Sequence, residues 1–207
     1  MTRKEKIILA ALELSSKYGL KAVSLSQIAE KVGIKKPSLY NHFDSKEALV
    51  KEMYSFVREQ SKNQTTVYQG DFALLFEGKS LEEILTAAME SYLKLVSNKQ
   101  MLCFFKVIYS ERTTDPAAAK IMLEETRRMI SYIKNLFYAL AVHGKMRSSD
   151  IDTAAMSYAM TIHALVDNRM DMMTAGEVLP SDGNDLPEEI KNYIRWFSNQ
   201  MGVDENE

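Results

Sequence analysis

The 207-residue sequence is poor in the residues that staple or break a chain: one cysteine, four prolines, eight glycines. A lone Cys103 excludes an intramolecular disulfide and fits a reducing, cytoplasmic setting. Long apolar runs are missing as well. The longest, residues 136–142, falls far below the roughly 18 that a membrane span needs, so no membrane partner is expected. The opening MTRKEKIILAALELSSKYG is interrupted by Glu5 and Glu13 and spaces its apolar residues helically, unlike a signal peptide.

Catalytic signatures are also absent. There is no His-Glu-x-x-His pair, no glycine-rich phosphate loop and no Gly-x-Ser-x-Gly elbow, and Cys103 lies in the apolar MLCFF, where a thiol is usually inert. His163 and Asp167 stand four apart on a helix, but two ligands are too few for a metal shell and His143 lies near a helix end. No metal and no cofactor are expected. An all-α enzyme that disperses its site residues along the chain stays open as an alternative.

What is present is uneven charge. The net charge of −2 conceals a first segment, residues 1–51, with ten Lys/Arg against five Asp/Glu, on a remainder that carries −7. A basic quarter on an acidic body points to an anionic partner for that quarter alone.

Apolar spacing is helical throughout, with no run of strand-like alternation, so the expected class is all-α with about nine helices. Thr2 with Glu5, Ser24 with Gln27, and Ser80 with Glu83 have capping-box spacing, and Asp44 with Glu47 and Ser149 with Asp152 mark two further starts. Ile7, Ala11, Leu14 and Tyr18 form the stripe of the first helix, which Gly19 ends; a second helix covers residues 25–32 and stops at Gly33. Pro37 opens a third, and a fourth runs from about residue 45 to between 62 and 68. Others are expected near residues 80–97, 99–111, 116–143, 149–174 and 187–201. KNQTTVYQGD and GEVLPSDGNDLP read as loops, and the last residues as an acidic tail.

The densest polar stretch is VGIKKPSLYNHFDSK, residues 32–46. Two short helices joined by a glycine turn, after a longer first helix, have the layout of a DNA-binding helix-turn-helix. On a helical wheel Leu39 and Phe43 lie about 40° apart and form an inner seam with Ile28 and Ala29, while Pro37, Ser38, Tyr40 and Asn41 point away. His42 falls near the inner edge. The outward set suits a major groove: Asn pairs with an adenine edge, Lys reaches guanine acceptors or a phosphate, and the hydroxyls bond phosphate oxygens. A merely solvated face would hold acids as readily as lysines, yet Lys35, Lys36 and Lys46 flank it with no acid before Asp44.

The run IAEKVGIKKPSLYNHFDSKEALV resembles the signature of the TetR family of bacterial transcriptional repressors in its glycine turn, its Leu-Tyr-x-His-Phe core and its Ser-Lys-Glu start of the fourth helix. The resemblance covers about residues 4–50 in pattern, and the rest in helix number and length. It implies phosphate contacts from Tyr40 and Lys46, and a groove face of Lys36, Pro37, Ser38, Asn41 and His42. Ser24 and Ser26 stand where the family often has a threonine and a variable residue, and Lys35 joins the same face. The domains expected are a helix-turn-helix DNA-binding domain at residues 1–45 and a helical effector-binding and dimerisation domain at 46–207.

The resemblance further implies a homodimer, released from a near-palindromic double-stranded DNA operator by a ligand. Ala155, Tyr158, Ala159 and Ile162, with Tyr193, Trp196 and Phe197, are small and aromatic residues at helical spacing and are expected at the interface between subunits. Thirteen methionines are many for this length. Met89, Tyr92, Phe104, Phe105, Tyr109, Met129, Tyr132, Phe137, Met156, Met160 and His163 are the candidate lining of a cavity for a small, largely apolar effector. An unspecific or architectural DNA-binding module is the other alternative.

Overall fold

The computed structural model describes residues 1–64, 75–96, 98–177 and 186–203. Nine α-helices and no β-strand occur among them. In chain order they are α1 Arg3–Tyr18, α2 Leu25–Val32, α3 Lys36–Tyr40, α4 Lys46–Gln64, α5 Leu81–Val96, α6 Lys99–Glu111, α7 Pro116–Val142, α8 Ile151–Ala175 and α9 Glu188–Met201. No helix among the described residues is long and apolar enough to cross a membrane. Most of the two expected loops and the end of the acidic tail lie outside the described residues.

Local chemistry starts three helices as their sequences predict. The amides of Glu5, Gln27 and Glu83 donate to Thr2 Oγ1, Ser24 Oγ and Ser80 Oγ at 3.2, 3.3 and 3.2 Å, and the longer side chains accept in return at 2.7 Å each. Two other starts differ. At α4 the cap is Ser45, whose Oγ accepts from Ala48 N at 3.1 Å, in place of the expected Asp44. At α8 the Ser149–Asp152 box does not form: Asp150 takes the cap position at φ 50°, without a side-chain cap bond. Asp152 instead accepts from Lys134 Nζ at 2.6 Å and Tyr138 Oη at 2.9 Å, because a cation within reach outbids a backbone amide.

Contacts divide the described chain into two compact units. One comprises α1–α4, α6 and the start of α7 as far as Glu124; the other comprises α5 as far as Leu95, α7 from Glu125, α8 and α9. In the first, Ile7, Leu12, Ile28, Leu39, Leu49 and Met53 share a buried cluster with Phe104 and Ile108. Packing therefore does not stop at residue 45, since the apolar faces of α4 and α6 close the core that α1–α3 leave open. Tyr18 falls off the α1 stripe and is 54% exposed, with Lys17 over its ring. In the second unit, Phe76, Leu85, Leu140 and Ile194 surround an aromatic group. Tyr158 lies 5.4 Å from Phe137 and 4.9 Å from Phe197 between ring centroids, in edge contacts that add to their burial.

Candidate nucleic-acid interface

A five-residue helix has too few internal hydrogen bonds to stand alone, so α3 depends on what holds it. Gly33 ends α2 in the left-handed conformation (φ 75°, ψ 34°), which a residue without Cβ adopts without strain. Its amide and that of Ile34 bond back to Glu30 O and Ala29 O at 3.0 and 2.9 Å, closing the turn. Lys35 is extended, Pro37 fits the first turn, and the amides of His42 and Phe43 continue the coil onto Leu39 O. Leu39 and Phe43 are 0% and 3% exposed, and each such side chain contributes about 2 kcal/mol by leaving water. Two anchors thus seat the helix.

The remaining side chains face out. Lys35, Lys36, Pro37, Tyr40, Asn41 and His42 are exposed, and Ser38 is half-buried. His42 therefore stands on the open side and is no core brace. The side chains of Lys35 and Lys36 have no bond to another described residue, whereas some other cations of the same unit are paired. Lys4 pairs with Glu52 at 2.8 Å, and Lys31 and Lys99 both reach Glu13, at 3.1 and 3.3 Å. Those two lysines hold the Glu13 carboxyl below the usual carboxylate range.

Two expected contacts are engaged elsewhere. Ser24 Oγ donates to Gln27 Oε1 at 2.9 Å, so its only proton serves the cap, while Ser26 is exposed. Lys46 is half-buried, and its ammonium donates to the carbonyls of Leu20 and Lys21. This pairing was missed in the sequence because the partners lie 26 and 25 residues away.

In the second unit the sequence-selected stripes face the other way. Ala155, Tyr158, Ala159, Ile162 and Phe197 are buried within the chain, so they are core and not an open interface. Tyr193 is half-buried and stacks on Trp196 at 6.0 Å, and Trp196 stays 57% exposed. Of the candidate cavity lining, Phe104, Phe105 and Tyr109 belong to the first unit and the rest to the second. Met89 and Phe137 are buried in the core, Met129 and His163 are half-buried, and Tyr92 and Tyr132 are 36% and 39% exposed. Met156 and Met160 are 55% and 44% exposed; one position from the inward stripe is a 100° turn, and it puts both outside.

Two carboxylates of that unit act on Tyr92. Burial, then the charges of Glu125 and Asp167, push its hydroxyl up to about 12. Glu125 Oε2 meets Arg128 at 3.3 Å while its Oε1 is buried without a hydrogen bond among the described residues, and His163 Nε2 lies 3.8 Å from Asp167. Among the described residues no three His, Cys, Asp or Glu side chains form a metal site.

Residues 7–53 match the family described as bacterial regulatory proteins of the tetR family, and residues 83–195 match the C-terminal domain of AefR-like transcriptional repressors. The chain belongs to the TetR family. Like its relatives it is a DNA-binding transcriptional regulator, all-α with an N-terminal helix-turn-helix. A candidate TetR-family regulator of known structure from Mesorhizobium loti superposes with a TM-score of 0.71 at 22% identity, over 97% of both chains, which speaks for the fold alone. The Bacillus subtilis HTH-type regulator YerO is 35% identical over 83 residues, 40% of this chain and 27% of that protein. The negative regulator IcaR of the biofilm operon icaADBC in Staphylococcus aureus strain Newman is 47% identical over 49 residues, 24% of this chain and 26% of that one. This chain thus spans about a quarter of the length of both relatives. For a TetR-family chain, the exposed cations and amide of α3 lie on the helix that the resemblance assigns to the groove.

Proposed function

We propose that this regulator is a homodimeric repressor that reads a near-palindromic operator with residues 36–43 and lets go when a small molecule binds its second unit. The observation that carries this reading is the exposed face of α3, where Lys35, Lys36 and Asn41 stand with no acid among them on a helix seated by Leu39 and Phe43. Lys36 and Asn41 contact base edges; Lys35, Tyr40 and Ser26 contact phosphates; Pro37, Ser38 and His42 shape the face between them. Residues 1–45 carry this role, and the remainder carries pairing and ligand response.

Repression fits the AefR-like match and the relative named a negative regulator. Pairing is assigned to the outer faces of α8 and α9, where Met156, Met160 and Trp196 are exposed. Two heads spaced about one helical turn, ~34 Å, apart read two half-sites. A ligand releases them by preferring the conformation with wrongly spaced heads, and a tenfold loss of occupancy needs about 1.4 kcal/mol of such preference.

Selection of duplexes from a random pool tests the reading. The protein is expected to enrich a near-palindromic site at moderate salt. Asn41→Ala is expected to relax preference at one base pair per half-site by about 1–3 kcal/mol without changing the others. Enrichment of no sequence would mark an unspecific DNA binder, and unchanged preference in Asn41→Ala would remove α3 from the groove.

A further inference from the structure

Glu13 is half-buried on α1, and its two carboxylate oxygens serve two other helices. Lys31, in the last turn of α2, reaches Oε2 at 3.1 Å, and Lys99, the first residue of α6, reaches Oε1 at 3.3 Å. Each bridge alone is an exposed pair of the weak kind. Together they differ from two separate bridges, because a single carboxylate holds two ammonium groups that repel each other. With Glu13 charged, the end of α2 and the start of α6 are drawn to one point. Without that charge the two lysines push them apart. The first turn of α6 carries no acid of its own, so Glu13 also supplies the negative charge that a helix N-terminus favours.

The places of the two lysines in the chain give the bond its role. Lys31 lies just before Gly33, in the turn that ends α2 and leads to α3. Lys99 lies just after Leu95, where the chain leaves the second unit by α5 and continues in the first by α6. The ligand response proposed above belongs to the second unit. A displacement of α5 therefore arrives in the first unit at Lys99, and Glu13 carries it to the end of α2 that leads into α3.

We propose that Glu13 is a positioning residue that couples the start of α6 to the helix-turn-helix: it holds the end of α2, and with it the turn that presents α3, in a place set by Lys99. This rests on the DNA-binding and ligand-release reading above.

A double-mutant cycle tests the coupling. The side chains of Lys99 and Glu13 are 79% and 44% exposed, so Gln replaces either without disturbing the core. Wild type, Glu13→Gln, Lys99→Gln and the double variant are first compared without DNA, by amide hydrogen exchange over residues 30–36, which include the turn amides of Gly33 and Ile34. Lys99→Gln, although on another helix, is expected to speed exchange there about threefold while Glu13 is present. In the Glu13→Gln background the same change is expected to slow exchange, because it removes a repulsion. Exchange in the core of α8 is expected to stay unchanged and controls for a general loss of stability. The four proteins are then titrated onto the duplex enriched by the selection above, or onto a fixed random-sequence duplex if none is enriched. Lys99→Gln is expected to weaken binding about threefold with Glu13 present and not to weaken it in Glu13→Gln. The positive charge lost is the same in both backgrounds, so a general loss of attraction to DNA cancels from the comparison.

Equal changes in turn exchange on Lys99→Gln in both backgrounds would overturn the proposal, and so would a change shared equally by α8. Coupled exchange with DNA affinities that change independently would also overturn it, since the turn would then not serve reading. If the wild type binds no duplex, the DNA-binding reading fails. The exchange cycle then decides the tie between α6 and α2 alone: coupled exchange keeps it and independent exchange removes it.

Discussion

Helix α3 in the first unit and helix α8 in the second display their conspicuous residues on opposite sides. On α3 the residues that stand out in sequence, Lys36, Tyr40 and Asn41, are exposed. On α8 those that stand out, Ala155, Tyr158, Ala159 and Ile162, are buried. A helix of five residues needs few anchors, so a dense polar set exceeds what folding asks of it and reports on a partner. A helix of 25 residues must bury a stripe to fold at all, and a stripe of small and aromatic residues is explained by its own core.

Substitutions can break or sharpen this contrast. The largest effect is expected in the second unit, where Phe197→Ala should lower unfolding free energy by about 3–5 kcal/mol, read from urea denaturation. The loss should be the same at every protein concentration; a loss that grows on dilution would return Phe197 to an interface between copies. Trp196, exposed on the same helix, behaves oppositely. Trp196→Ala should leave subunit folding nearly unchanged and weaken self-association by about 2 kcal/mol in sedimentation equilibrium.

In the first unit, Ser24→Ala should cost about 1 kcal/mol of stability, because the hydroxyl is committed to the α2 cap. The salt slope of DNA binding should not move. A lower slope would show that Ser24 also reaches a phosphate. The smallest effect concerns pH. An unfolded-state tyrosine ionises near 10, about where free tyrosine does, whereas Tyr92 in the folded chain is pushed up to about 12. Between those values the unfolded chain holds fewer protons, so stability falls as pH rises, and below that window Tyr92 adds no slope. Tyr92→Phe should flatten that fall in denaturation measured at alkaline pH.

Legibility in the sequence follows the range of the interaction. The start of α2 was readable because Ser24 and Gln27 are three residues apart, and their bond forms whatever packs around them. The outward face of α3 was readable because Gly33, Leu39 and Phe43 leave only one outward side for a helix so short. Asp152 misled, since its capping spacing competed with Lys134 and Tyr138 on another helix, 18 and 14 residues away. Met156 and Met160 misled as cavity lining, because one apolar residue at helical spacing looks like another until the facing helix is known.

The sequence by itself determined the all-α class, most helix starts and the exposed residues of α3, all of which rest on bonds and angles within one or two helical turns. Only the tertiary structure decided which stripe of α8 is core, where Asp152 spends its charge, and that Lys46 turns from the N-terminus of its own helix to the carbonyls after α1. Each of those is a choice between partners distant in the chain, and their competing energies are comparable until packing brings one partner near.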